Sequence, residues 1–140
     1  MAKAFYVDTS VWRDYFEDRR DNIRPLGEFA ARFLQDCRAH GCKILYSQLT
    51  VDELLQGASK QQSTEAFSGF KECLVFVRLS VVERVEAGKL ALERKDTHLA
   101  DVLHAVMARN NGAVLVARDH GFECLQDLVE IRKPEEIIFD

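Results

Sequence analysis

Short apolar runs separated by segments of helical spacing constrain this fold more than any other feature of the chain. The runs are AFYVD at 4–8, KILYS at 43–47, LVFVRLS at 74–80, AVLVA at 113–117 and LVEIRKP at 128–134, the last halted by Pro134. The first ends in a polar turn and reads as a buried strand, and the others follow it. Helical segments fit 11–18, 25–39, 50–56, 64–73, 81–93 and 99–110. In the second of these Leu26, Phe29, Ala30, Phe33, Leu34 and Cys37 recur at helical spacing. Pro25 suits the first turn and Gly41 the left-handed position just past the end. Strands that alternate with helices or helix pairs predict an α/β fold with a central parallel sheet, flanked by helices on both faces. A chain of 140 residues, 47% apolar, fits one such domain over 1–140 without staples.

The same reading excludes several classes. No apolar run approaches the roughly 18 to 20 residues that cross a bilayer, and MAKAFYVDTS carries no signal-peptide stretch. A cytoplasmic protein is expected. Cys37, Cys42, Cys73 and Cys124 show no C-x-x-C spacing and read as reduced, mostly buried small hydrophobes. A net charge of −4 with dispersed basic residues argues against binding nucleic acid by bulk electrostatics. It does not exclude a nuclease whose acids are gathered around a cation. There is no glycine-rich phosphate loop for a nucleoside triphosphate.

Four acids stand where an α/β fold places its sites, at strand ends and helix starts. Asp8 closes the first run and Asp119 lies two residues past AVLVA. Glu53 and Asp101 fall in the helical segments TVDELLQG and LADVLHAVMA. Each has an ordinary alternative. Asp8 fits a helix N-cap. Glu53 fits a capping box with Thr50, and Asp52 is a competing acid beside it. Asp101 fits a first-turn residue favoured by the helix dipole, and Asp119 fits a turn. Asp101 lies roughly opposite an arc formed by Leu99, Val102, Leu103 and Val106, on the side of the small residues Ala105 and Ala108, which implies close packing there.

If the four meet, unit charges about 5 Å apart repel by about 3 kcal/mol at an effective dielectric near 20, so they need a cation or shifted pKa values. Oxygen donors suit Mg²⁺ or Mn²⁺, ions that serve phosphodiester cleavage. Arg13 and Arg118 are candidates to steer phosphate, and His120, beside Asp119, is a candidate phosphate contact. His104 lies three residues after Asp101. It reads with His40 and His98 as polar surface or hydrogen-bonded. Trp12, Tyr15, Phe16, Phe67 and Phe70 read as core or as an interface.

Taken together, YVDTSVW, LTVDELLQG, HLADVLHAVMA and LVARDHGF resemble the motifs of PIN domains, and most closely the VapC-like toxins of prokaryotic toxin–antitoxin pairs. They occur in the family's order, and the α/β pattern covers nearly the whole chain. The resemblance implies that Asp8, Glu53, Asp101 and Asp119 are the acidic metal-site residues, with Ser10 as the small residue that accompanies the first aspartate. It implies an endoribonuclease that uses Mg²⁺ or Mn²⁺ on single-stranded or loop RNA, homodimerises, and is inhibited by a small antitoxin. An RNA-maturation nuclease and a catalytically silent RNA- or protein-binding module are the alternatives. Two positions depart from the pattern. Ala117 stands where the family often has Ser or Thr, and Gly121 where it often has a further aspartate.

Overall fold

All five apolar runs enter one sheet, and every pairing in it is parallel. In the computed structural model, which describes residues 3–17, 24–57, 60–118 and 120–139, the strands are β1 (Ala4–Val7), β2 (Lys43–Tyr46), β3 (Leu74–Phe76), β4 (Val114–Val116) and β5 (Ile131–Arg132). The helices are α1 (Thr9–Glu17), α2 (Leu26–Ala39), α3 (Gln48–Gly57), α4 (Lys60–Ser68), α5 (Val81–Glu93) and α6 (Leu99–Asn110), followed by 3₁₀ turns at His120–Leu125 and Pro134–Glu136. Strand order is β3-β2-β1-β4-β5. The chain therefore moves outward from β1 through β2 and β3, then returns to the other side of β1 as β4. The reversal opens a crevice at the carboxyl ends of β1 and β4, where open α/β sheets place their sites.

Side-chain alternation along the strands divides the core in two. Phe5, Val7, Ile44 and Val116 pack with Val11, Trp12, Ala30, Phe33 and Leu34 of α1 and α2. Tyr6, Leu45 and Leu115 point to the other face and pack with Ala87 of α5 and Val102, Ala105 and Val106 of α6. A sheet covered on both faces needs apolar residues on both, hence the unbroken apolar runs.

Several boundaries differ from the pattern, among them the starts of α1 at Thr9 and α3 at Gln48, each two residues earlier than expected. The third run stops pairing at Phe76, because Ser80 is already the N-cap of α5. Its side chain accepts the Glu83 N–H at 3.1 Å while Glu83 reaches back to the Ser80 N–H at 2.9 Å. The last strand has two residues, cut short by Pro134 at the start of a 3₁₀ turn. The helix expected at 64–73 is α4, ending at Ser68, and a turn then buries Phe70. Of the aromatic residues, Trp12 and Phe70 are buried in the core, and Tyr15, Phe16 and Phe67 are partly buried against it. Trp12 is wholly buried and meets Phe67 edge-on at 4.7 Å, while Tyr15 and Phe16 pack against the same cluster. Cys37, Cys42 and Cys73 are buried free thiols and Cys124 is an exposed one.

Both helices that feed inner strands end alike. After α2 the Cys42 N–H bonds the Cys37 carbonyl, and after α6 the Ala113 N–H bonds the Ala108 carbonyl, each at 2.9 Å. Each closure needs a left-handed residue, supplied by Gly41 (φ 67°) and Gly112 (φ 64°). Nothing stands within 4 Å of a Cβ built at Gly112, so Gly112→Ala strains the backbone alone. It is expected to cost roughly 1 to 2 kcal/mol, with Gly112→Asn costing less. Urea denaturation of the three proteins measures the difference.

Candidate metal centre

Asp8 lies between β1 and α1 and serves both. Its N–H bonds the Val116 carbonyl of β4 at 2.9 Å, and its own carbonyl accepts from Val11 at 3.1 Å. Its carboxylate is divided. Oδ2 accepts the Ser10 N–H at 3.1 Å and the Ser10 hydroxyl at 2.7 Å, an N-cap arrangement. Oδ1 lies 3.8 Å from His104 Nε2. The cap and the site are thus compatible, one oxygen serving each.

Glu53 is not the closing residue of a capping box. The helix begins at Gln48, two residues before Thr50, and Thr50 Oγ1 accepts the Ser47 N–H at 3.2 Å. Glu53 sits further along the helix and faces α1 and α6. Its Oε1 accepts the Thr9 hydroxyl at 2.7 Å and pairs with His104 Nε2 at 2.9 Å. Asp52, the competing acid, is exposed and accepts from the Gln48 amide at 2.9 Å.

Asp101 is in the first turn of α6. That helix is buried nearly all round, including Ala105 and Ala108, which confirms close packing on their side. Leu99, expected on the apolar arc, is instead 51% exposed because it begins the helix at the surface. A Cβ built at Gly121 would run into Asp101 Oδ2. Gly121 therefore stands directly against the Asp101 carboxylate, at the position where a fifth acid is often found.

Asp8, Ser10, Arg13, Glu53, Asp101 and Arg118 line one cleft of about 500 Å³. Carboxylate oxygens of Asp8 and Glu53 and a ring nitrogen of His104 lie within 4.8 Å of one another. Asp119 lies outside the described residues, as does the side chain of His120. The backbone leading toward them is held over the site, since the Arg118 N–H donates to Ser10 Oγ at 3.3 Å.

The two arginines differ. Arg118 donates through Nε to Asp14 at 3.1 Å and through Nη1 and Nη2 to Glu135 at 3.0 and 2.5 Å. Its charge is neutralised by two carboxylates, and it ties the exit of β4 to α1 and to the C-terminal segment. Arg13 donates to the Glu53 carbonyl at 2.6 Å. Its guanidinium lines the cleft, and its charge acts on the Glu53 carboxylate there.

Burial pushes the Asp8 carboxyl above its ordinary range, against the pull of His104 and Ser10, and the Glu53 charge pushes it further up. Burial also acts upward on Glu53, but the hydrogen bond and charge of His104, then Thr9 and Arg13, outweigh it and hold that carboxyl below its usual range. Burial alone would lower the His104 pKa, yet the Glu53 hydrogen bond and the charges of Asp8, Glu53 and Asp101 raise it.

His104 is the residue that sequence reasoning underrated. It was read as surface or hydrogen-bonded, and it is hydrogen-bonded but wholly buried. Its spacing of three from Asp101 on an apolar helix was the available signal. Both ring nitrogens are engaged, Nδ1 with Tyr6 and Nε2 with Glu53, which leaves the cation-binding atoms to the carboxylates. That all-oxygen set fits a hard divalent ion such as Mg²⁺ or Mn²⁺.

The PIN domain family model matches residues 5–127. Among solved structures of similar fold, a toxin–antitoxin complex from Klebsiella pneumoniae is 21% identical with a TM-score of 0.67, covering 97% of this chain and all of that one. VapBC2 from Rickettsia felis, bound to a DNA fragment from its promoter, is 17% identical with a TM-score of 0.67, covering 93% of this chain and 98% of that one. VapC20 from Mycobacterium tuberculosis, a toxin that cleaves the sarcin–ricin loop, is 14% identical with a TM-score of 0.64, covering 86% and 94%. No curated protein matches the chain by sequence.

The raised Asp8 pKa means that ionised Asp8 is less favourable in the folded protein than in the unfolded chain at neutral pH, and that the penalty falls as pH drops through the folded pKa toward the unfolded one. Asp8→Asn keeps an oxygen for Ser10 and removes the charge. In EDTA at pH 7 the variant is expected to be more stable than the unmodified protein, chiefly because it no longer buries a charge and secondarily because the repulsion from Glu53 is lost. That advantage should shrink toward pH 4, and Mn²⁺ should stabilise the variant less than the unmodified protein. Thermal melts at both pH values, with EDTA and with Mn²⁺, measure each effect.

Proposed function

Because the chain belongs to the PIN domain family, we propose that it is a divalent-metal-dependent endoribonuclease, the toxin of a toxin–antitoxin pair, with residues 1–140 forming one nuclease domain. The observation that carries this reading is the meeting of Asp8, Glu53 and Asp101, from three separate elements, in one cleft at the sheet reversal. β5 lies beyond the family match but pairs with β4, so the C-terminal segment belongs to the same domain.

In this reading Asp8, Glu53 and Asp101 hold Mg²⁺ or Mn²⁺, and Asp119 completes the set. Held there, such an ion would supply an activated water and charge stabilisation for phosphodiester hydrolysis. Ser10 fixes Asp8 through Oδ2. Arg13 contacts a phosphate of the RNA, and its bond to the Glu53 carbonyl sets its direction. Arg118 serves as a clamp, because its donors are already committed to Asp14 and Glu135. The substrate class is structured RNA with single-stranded loops. The partners are a small antitoxin and a second copy of the chain, and the setting is cytoplasmic; no helix among the described residues is long and apolar enough to cross a membrane.

Purified protein incubated with total RNA should cleave it in Mn²⁺ or Mg²⁺ and lose that activity in EDTA. Equal cleavage in both conditions overturns the metal mechanism. Self-association has support in the exposed Val82, Val85 and Leu92 of α5, at helical spacings of three and seven. Light scattering of the isolated chain is expected to give a dimer mass, and a monomer mass at high concentration would overturn it.

A further inference from the structure

One buried side chain behind the cleft is assigned no task by the metal-nuclease reading. His104 is wholly buried on an otherwise apolar stretch of α6, among Val102, Ala105 and Val106. A helix that only filled the core at this point would carry an apolar residue, because a buried imidazole must find partners for both nitrogens. His104 finds them. Nε2 is 2.9 Å from Glu53 Oε1, and Nδ1 is 2.7 Å from the Tyr6 hydroxyl, which in turn lies 2.7 Å from Ser47 Oγ and 3.4 Å from Thr50 Oγ1.

The direction of these bonds follows from their chemistry. An ionised Glu53 only accepts, so Nε2 carries a proton. In the neutral ring Nδ1 then accepts the Tyr6 O–H, and the Tyr6 oxygen accepts from Ser47. In the charged ring Nδ1 donates to Tyr6, whose O–H turns to Ser47 or Thr50. Burial raises the Tyr6 pKa and keeps its proton in place. In both states the bond to Glu53 is an Nε2–H donation. The chain also joins all three acid-bearing elements. Tyr6 is two residues before Asp8, His104 three after Asp101, and Ser47 and Thr50 are upstream of Glu53. His104 and Thr9 both act on Oε1, which leaves Oε2 to the cleft.

We propose that His104 is a positioning residue, which holds Glu53 through Oε1 so that Oε2 is presented beside Asp8 and Asp101, and that Tyr6 fixes the ring in the orientation this requires. The assignment rests on the metal-nuclease reading above. It makes His104 a support for the cation site and not one of its ligands.

The test is calorimetric titration of the metal-free full chain with MnCl₂, with melting in EDTA alongside. His104→Leu removes the donor and is expected to weaken Mn²⁺ binding by roughly 10- to 100-fold, the usual cost of losing a partner that orients a metal ligand. His104→Gln places an amide donor near the former Nε2 and is expected to recover most of the affinity. Tyr6→Phe removes only the hydroxyl and should fall between His104→Leu and the unmodified protein. A purely structural role predicts a lower melting temperature in EDTA with Mn²⁺ affinity unchanged. Unchanged affinity in His104→Leu therefore overturns the proposal. If that variant shows no cooperative melting, unchanged affinity in Tyr6→Phe overturns it instead. Failure of the unmodified protein to bind Mn²⁺ overturns the metal-nuclease reading, and this proposal with it.

Discussion

A carboxylate buried at the end of the central strand has to be compensated, and much of the chain around the cleft is arranged to do so. Asp8 is 5% exposed, and the charges of Glu53 and Asp101 stand on the same cleft wall. Its Oδ2 is held by Ser10 in the first turn of α1, where the positive end of the helix dipole also favours a negative charge. Its Oδ1 faces His104, whose ring is raised toward the charged form by the acids around it. A carboxylate left partly uncompensated in this way is the kind of site that a cation stabilises when one binds.

The sheet supplies the geometry that makes this concentration of charge attainable. β1 lies centrally, between β2 and β4, and the chain changes direction across it. The residue leaving β1 and the segment leaving β4 consequently meet at one end of the sheet, and α3 and α6 close over that end from opposite sides. The segment after β4 is tied down twice, by the Arg118 N–H on Ser10 and by the Arg118 guanidinium on Asp14 and Glu135. The second tie links Glu135, near the C-terminus, to Arg118 and Asp14 of the cleft lining. Buried ion pairs of this kind add geometry more than stability, because desolvation offsets much of their attraction.

Two buried polar chains therefore do different work on opposite sides of the cleft. The Ser47–Tyr6–His104–Glu53 chain acts from within the core formed by β1 and α6, and every member but Glu53 is buried. The Asp14–Arg118–Glu135 cluster acts from the rim. The first orients a carboxylate of the site. The second commits the Arg118 guanidinium to two carboxylates and ties the segment after β4 in place.

The sequence by itself determined the layer structure, because a strand buried on both faces must be apolar on both and a helix covering a sheet must repeat its apolar residues about every 3.6 positions. The runs from Ala4, Lys43, Leu74 and Val114 and the helices ending before Gly41 and Gly112 were legible for that reason. Asp8 was legible as a strand-end acid, and Glu53 and Asp101 as acids near helix starts, although the local patterns allowed a cap, a capping box or a dipole contact equally well. Only the tertiary structure decided among these. It showed Asp8 dividing its two oxygens between cap and cleft, moved the start of α3 ahead of Thr50, turned Glu53 toward Thr9 and His104, and joined Tyr6 to His104 across 98 positions of chain. Periodicity reports which face of an element is buried, but not which polar atoms meet there, since a hydrogen bond depends on distances and angles that only the packed elements set.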